Sequence, residues 1–98
     1  MKTKYTVITG ASSGIGKAIA WEFAKKNKNL ILIARRINLL ENLKKELLTH
    51  YPNLNIITID FDLTSTDKIP ELYSKFNDYH IETLINNEGF GMYGNVKD

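Results

Sequence analysis

Apolar positions along the chain follow two spacings, one typical of strands and the other of helices. Residues 30–34 are continuously apolar, as in a parallel strand covered on both faces, and four short runs in all are rich in apolar or β-branched residues. These are residues 5–9, 30–34, 55–61 and 81–86. The pattern predicts four strands.

Between these runs, apolar residues recur every three or four positions, as on the buried face of a helix. The three stripes are Ile15, Ile19 and Phe23; then Leu40, Leu43, Leu47 and Leu48; then Ile69, Leu72, Tyr73 and Phe76. Asn38 with Glu41 predicts a capping box for the second helix. Ser65 or Thr66 can cap the third, which has Pro70 in its first turn.

Strands and helices therefore alternate as β-α-β-α-β-α-β. Right-handed crossovers require a parallel sheet with helices on its faces. We expect one α/β domain over residues 1–98, with strand order 3-2-1-4 and three helices, as in half of a doubly wound Rossmann fold.

Composition limits the possible functions. The 98 residues are 43% hydrophobic and 24% charged, which is ordinary for a soluble domain. A net charge of +2 is too small to indicate nucleic acid or a membrane surface as partner. The chain has no cysteine, which excludes disulfides and thiolate metal sites, and Asp60 with Asp62 lacks further metal ligands. We expect a cytoplasmic protein without a metal.

Three glycines, Gly10, Gly14 and Gly16, lie between the first strand and the first helix. Glycine at such a junction lets main-chain N–H groups approach a pyrophosphate, and the helix dipole attracts the anion. The spacing is not the common Gly-x-Gly-x-x-Gly. From the glycines alone, a tight turn without a ligand remains an equal alternative.

The wider stretch Thr9 to Gly16 (TGASSGIG) resembles the cofactor loop of the short-chain dehydrogenases/reductases. Asp62-Leu63 after the third strand is similar to the pair that contacts adenine in that family. Asn86-Asn87-Glu88-Gly89 stands where the family has Asn-Asn-Ala-Gly. These motifs occur in the family's order over essentially the whole chain.

The resemblance implies a set of cofactor-binding residues. Asp62 would accept a hydrogen bond from the adenine amino group, and Leu63 would pack on the ring. Asn87 and Gly89 would lie along the ribose beside the nicotinamide, while Asn86 would tie neighbouring strands together. The pyrophosphate and the adenosine ribose would be held by the loop residues Gly10, Ser12, Ser13, Gly14, Ile15 and Gly16. The alternatives are a helix-preceding cap for Asp62 and a turn after a strand for the asparagines.

The choice of nicotinamide cofactor depends on the end of the second strand. NAD-selective enzymes place an acidic residue there, about 20 positions beyond the loop, to bind the ribose 2′-hydroxyl. This chain has Arg35 and Arg36 instead. Because a guanidinium can bind a 2′-phosphate through two charged hydrogen bonds, we expect NADP(H), with Arg35 the main contact. Two solvated arginines are the alternative.

The family's catalytic serine and its Tyr-x-x-x-Lys pair lie beyond the fourth strand, so we expect no catalytic residue here and no turnover. Tyr93 and Lys97 have the spacing, but Gly94 and Asn95 between them disfavour a helix. Glu88 replaces the family's alanine and brings negative charge near an anionic ligand. The competing hypothesis is a non-catalytic remnant with weak or no cofactor binding.

The fourth strand, Ile81 to Asn86, would be internal in the family but an edge in this chain. Edge strands expose unpaired N–H and C=O groups that can pair with another chain. We therefore expect self-association, most simply a two-fold dimer in which the fourth strands pair or uncovered faces of the sheet pack together. A monomer covered by residues 90–98 is the alternative.

Overall fold

A computed structural model describes residues 3–62 and 64–87, and it contains the four expected strands. They are β1 (Lys4–Thr9), β2 (Asn29–Ala34), β3 (Ile56–Asp60) and β4 (His80–Asn86). Three α-helices alternate with them: α1 (Gly14–Lys25), α2 (Ile37–His50) and α3 (Ile69–Phe76). The predicted α/β succession is confirmed.

The strands form one parallel sheet in the order β3-β2-β1-β4, which confirms the predicted topology. Thr9, the last residue of β1, pairs with Ile33 of β2 and with Asn86 of β4. Ala34 likewise pairs with Asp60 at the end of β3. The residues that follow the strands therefore lie side by side along one edge of the sheet, called here the carboxyl edge.

Side chains on the two faces of the sheet form two cores. Helices α1 and α2 cover the first face, where Ile8, Leu32 and Leu40 are fully buried. Helix α3 covers the second, where Val7, Ile33 and Leu72 are fully buried. Because β1 and β2 are covered on both sides, consecutive residues of each strand are buried instead of alternate ones.

The buried stripe of α1 differs from the predicted one. Its buried residues are Gly16, Ala20 and Ala24, whereas Ile15 is 70% exposed and Ile19 is only partly buried. Small residues on this face let the helix axis approach the sheet closely. The apolar spacing had assigned Ile15 to the core, and that prediction is wrong because the helix turns its glycine and alanine side towards the strands.

The predicted capping box at α2 is also wrong. The helix begins at Ile37, with Arg36 as N-cap and no capping side chain, so Asn38 lies inside the first turn. The carboxylate of Glu41 instead accepts a hydrogen bond from the Thr58 hydroxyl on β3. The Glu41 carboxylate, which the local motif assigned to the cap, therefore makes a tertiary contact with Thr58 instead. The predicted cap of α3 at Ser65 or Thr66 is wrong as well, because a 3₁₀ turn at Thr66–Lys68 precedes the helix and makes Lys68 its N-cap.

Where α2 ends, three aromatic rings meet beside the first core. The Trp21 ring of α1 lies edge-on to the His50 ring at 5.2 Å and to the Tyr51 ring at 6.3 Å between centroids. This contact, together with the Lys17–Glu46 ion pair at 3.7 Å, joins α1 to α2. No helix within residues 3–62 and 64–87 combines the length and the apolar character needed to cross a membrane.

Candidate functional site

The glycine loop turns sharply from β1 into α1. Gly10 has a φ of 64°, in the left-handed region that favours glycine. A Cβ atom on Gly16 would lie 2.1 Å from the Gly10 carbonyl oxygen, whereas one on Gly14 would meet nothing within 4 Å. Gly10 is therefore required by the backbone, Gly16 by close packing, and Gly14 by neither within the described residues.

Two main-chain N–H groups in the first turn of α1 make no hydrogen bond to the described residues. Ser13 is the N-cap; its hydroxyl accepts a hydrogen bond from Gly16 N at 3.3 Å, and its carbonyl accepts one from Lys17 N at 2.7 Å. The N–H groups of Gly14 and Ile15 have no partner among the described residues. Unpaired N–H groups at the positive end of a helix suit an anion such as a phosphate.

Asn87 joins the end of β4 to this loop. Its side-chain Nδ2 donates to the Gly10 carbonyl oxygen at 3.3 Å and to Ser13 Oγ at 3.1 Å. Ser13 Oγ in turn donates to the same carbonyl at 2.9 Å. Sequence reasoning assigned Asn87 a position along a ribose and missed its contact with the loop, since no spacing rule connects residues 77 apart in the chain.

The neighbouring asparagine makes a different contact. The buried Thr9 hydroxyl donates to Asn86 Oδ1 at 2.9 Å. Thr9 and Asn86 are the last residues of β1 and β4, which are adjacent in the sheet. The two asparagines therefore attach β4 to β1 and to the loop that follows it.

Arg35 and Arg36 follow β2 along the carboxyl edge, and both are exposed. They line an open groove of about 420 Å³ together with Ile37, Asn38 and Leu39. Neither guanidinium has an ion-pair partner among residues 3–62 and 64–87. The start of α2, which has no capping side chain, adds partial positive charge to this groove.

Asp62 follows β3 on the same edge. Its Oδ1 accepts hydrogen bonds from the Thr64 hydroxyl at 2.6 Å and from Thr64 N at 3.0 Å. These two bonds, with smaller contributions from the charges of Arg35 and Lys68, lower the pKa of the Asp62 carboxyl. Oδ2 has no partner among the described residues, so it is free to accept a hydrogen bond from a ligand.

Several residues named from the sequence lie outside the described part of the chain. These are Leu63, Glu88, Gly89, Tyr93 and Lys97. The other named residues, from the ends of all four strands, come together along the carboxyl edge. In the part of the chain that the structure describes, no three His, Cys, Asp or Glu residues are grouped to hold a metal ion.

The chain is similar to known proteins of one family. Residues 4–98 match the short chain dehydrogenase family model. The very-long-chain 3-oxoacyl-CoA reductase of Vanderwaltozyma polyspora is 43% identical over 86 residues, covering 87% of this chain but only 25% of that protein. A putative steroid dehydrogenase of Caenorhabditis elegans is 39% identical over 87 residues, again 87% of this chain and 28% of its own length. The chain thus spans about a quarter of the length of these relatives.

Solved structures agree with the family match. A short-chain dehydrogenase from Sphingobium yanoikuyae in complex with NADPH superposes with a TM-score of 0.80 and 32% identity, covering 95% of this chain and 36% of that one. Family match, sheet order and glycine loop point the same way: this chain belongs to the short-chain dehydrogenase family and corresponds to part of the length of its members.

Proposed function

We propose that this chain is the NADP(H)-binding portion of a short-chain oxidoreductase, which transfers hydride between NADPH and a carbonyl or alcohol substrate. The observation that carries the proposal is the pair Arg35 and Arg36. The two side chains are exposed and without ion-pair partners among the described residues, on the same sheet edge as the free N–H groups of α1.

The preference for NADP(H) over NAD(H) follows from charge. No carboxylate stands at the end of β2 to accept a hydrogen bond from a ribose 2′-hydroxyl. A guanidinium binds a phosphate through two charged hydrogen bonds, and the uncapped start of α2 adds to the attraction. The NADPH bound to the related Sphingobium yanoikuyae enzyme supports the same choice.

The residues present suit the rest of the dinucleotide as well. Gly14 and Ile15 N–H groups and the Ser12 hydroxyl would receive the pyrophosphate, and Asp62 Oδ2 would accept from the adenine amino group. Gly14 leaves open space where a Cβ would stand, so a ligand can approach the main chain there. When bound, the dinucleotide supplies or accepts the hydride.

Calorimetric titration of the 98-residue chain with NADPH and with NADH tests the proposal. We expect NADPH to bind at least tenfold more tightly, since a lost charged hydrogen bond costs about 1.5–3 kcal/mol. Equal affinities would contradict the assignment to NADP(H). Binding of neither cofactor would contradict the proposed function itself.

We propose further that these 98 residues alone do not turn over substrate. A positioned general acid contributes about 10²–10⁴-fold to rate, and Gly94 and Asn95 in the sequence between Tyr93 and Lys97 disfavour the helix that carries the family's pair. Oxidation of NADPH with a panel of ketones and aldehydes measures this directly. Activity that disappears in the Tyr93→Phe variant would show that the pair is catalytic after all.

A specific residue favours a second candidate function, a non-catalytic module with weak or no cofactor binding. Glu88 stands where the family has alanine, and its charge would oppose an anionic ligand nearby. Titration of the Glu88→Ala variant separates the two candidates. If this variant binds NADPH and the original chain does not, the module is the better description.

We also propose that the chain self-associates. We propose in addition that it acts in the cytoplasm. Among the described residues β4 pairs with β1, and the contact with a second copy would be made by the other side of β4 or by a face of the sheet. Sedimentation over a range of concentrations tests the first of these proposals. A mass that stays at 11.2 kDa to high concentration would exclude the dimer.

A further inference from the structure

The Ser13 hydroxyl has no hydrogen-bonding capacity left. A hydroxyl group has one proton to donate and two lone pairs that accept. Ser13 Oγ donates to the Gly10 carbonyl oxygen at 2.9 Å and accepts from Gly16 N at 3.3 Å and from Asn87 Nδ2 at 3.1 Å. All of its positions are therefore filled by the protein.

The Gly10 carbonyl oxygen is the centre of the same cluster. It accepts from Ser13 N at 3.2 Å, from the Ser13 hydroxyl and from Asn87 Nδ2 at 3.3 Å. Gly16 makes room for this cluster, since a Cβ there would lie 2.9 Å from Asn87 Nδ2 as well as against the carbonyl. Three segments of the chain thus meet at one carbonyl group.

Ser12, the neighbouring residue, is in the opposite situation. Its side chain is half-buried and makes no hydrogen bond to any described residue. The two adjacent serines therefore differ: among the described residues the Ser12 hydroxyl has no hydrogen-bond partner, whereas the Ser13 hydroxyl has three.

We propose that Ser13 and Asn87 are a pair of positioning residues that fix the shape of the anion loop, and that the Ser13 side chain does not contact the dinucleotide. Asn87 completes the bonding of the Ser13 hydroxyl and holds the loop to the end of β4. Ligand contacts then come from the free main-chain N–H groups and from Ser12. This assignment of contacts rests on the proposed function, whereas the coupling of Ser13 to Asn87 does not.

A double-mutant cycle in urea unfolding tests the coupling without any ligand. Ser13→Ala and Asn87→Ala should each lower the folding equilibrium constant. In the double variant the folding equilibrium constant should be about tenfold higher than the two single effects multiplied together would give, as for residues in one hydrogen-bond network. Ser13→Thr, which keeps the hydroxyl at the N-cap, should restore stability. Additive effects of the two alanine substitutions would overturn the proposal.

If Ser13→Ala does not fold, amide exchange in the Asn87→Ala variant provides a second measurement. The Gly16 N–H should exchange several-fold faster than in the original chain, because Ser13 Oγ is then held by one contact fewer. An unchanged Gly16 exchange rate would contradict the positioning role of Asn87.

Titration with NADPH and NADH tests the assignment of contacts. Ser13→Ala should lower the affinities for NADPH and NADH by the same factor, since it disturbs the loop. Ser13→Thr should keep both affinities at the level of the original chain. Ser12→Ala, the matched control, should weaken binding without changing the unfolding midpoint. Loss of NADPH affinity in Ser13→Ala at unchanged stability would show a direct contact and overturn the assignment. If the original chain binds neither cofactor, the proposed function fails, and the unfolding cycle still decides the coupling.

Discussion

The hydroxyl of Thr9 and the side-chain carbonyl of Asn86 are 2.9 Å apart and form a hydrogen bond between the last residues of β1 and β4. Thr9 is fully buried and Asn86 is half-buried, so the bond is partly shielded from water. It is one of the contacts that attach β4 to the sheet at the carboxyl edge.

Thr9→Val removes the hydroxyl and keeps the shape and β-branching of the side chain. The Asn86 carbonyl then loses a buried partner, so we expect a loss of about 1–2 kcal/mol in the free energy of unfolding. Urea denaturation followed by circular dichroism measures it. No change in stability would mean that water or another donor replaces the threonine.

Thr6→Val, in the same strand, should have the opposite effect. The Thr6 hydroxyl is buried and has no hydrogen-bond partner among the described residues. Replacing an unsatisfied buried hydroxyl with a methyl group removes a desolvation penalty, so we expect a gain of about 1 kcal/mol. Destabilisation as large as that of Thr9→Val would contradict this.

Gly16→Ala should unfold the protein or reshape the loop. The new methyl group would lie 2.1 Å from the Gly10 carbonyl oxygen, a distance that only movement of the backbone can relieve. Gly14→Ala is the matched control, because its Cβ meets nothing within 4 Å and helix propensity favours alanine by up to about 1 kcal/mol. Thermal unfolding of the two variants gives the comparison; equal melting temperatures would contradict the close packing at Gly16.

Arg35→Ala should weaken NADPH binding about 10- to 100-fold and leave NADH binding nearly unchanged, since only NADPH carries the 2′-phosphate. Lys25→Ala is the control for charge, because Lys25 ends α1 at the opposite end of the sheet. Calorimetry with both cofactors separates these effects. An equal loss of NADPH affinity in both variants would indicate a general electrostatic effect instead of a phosphate contact.

The stability of the protein should depend on the charge of Asp62. Hydrogen bonds from Thr64 lower the folded-state pKa of this carboxyl below its unfolded value, near 3.9. Its stabilising contribution is therefore complete above that unfolded value and is lost as the pH falls through the lower folded one. Thr64→Val should raise the pKa of Asp62 in an NMR titration and reduce this acid dependence. Thr49→Val, whose hydroxyl bonds within α2, should leave that pKa unchanged.

Much of the fold could be predicted because apolar strand runs alternate regularly with helical stripes along the sequence. Continuous apolar runs such as Leu30 to Ala34 and the leucine stripe of α2 gave the elements, and crossover handedness gave the sheet order. Predictions failed where tertiary contacts determine the partner or the burial of a side chain. Glu41 bonds to Thr58 instead of capping α2, and close packing on the sheet turns Ile15 outward.

The candidate site shows the same division. The glycine loop was identified from its resemblance to a known family, and the arginine pair from its position after the second strand, since each is a local sequence feature beside a strand end. The bond from Asn87 to Ser13 joins residues 74 apart and could not be predicted from spacing. The Thr64 partner of Asp62 was within reach of sequence reasoning, because aspartate two residues before threonine favours this local turn.

The ring contact of Trp21 with His50 and Tyr51 makes the two faces of the sheet optically distinct. Trp21 is the only tryptophan in the sequence, and it lies beside the α1–α2 core. The opposite core contains Tyr5 and Tyr79, whose rings are 5.2 Å apart. Indole emission therefore follows the melting of the α1–α2 layer, and the NMR ring signals of Tyr5 and Tyr79 follow that of the other layer. Coincident melting curves from the two signals would demonstrate that both layers unfold as one cooperative unit.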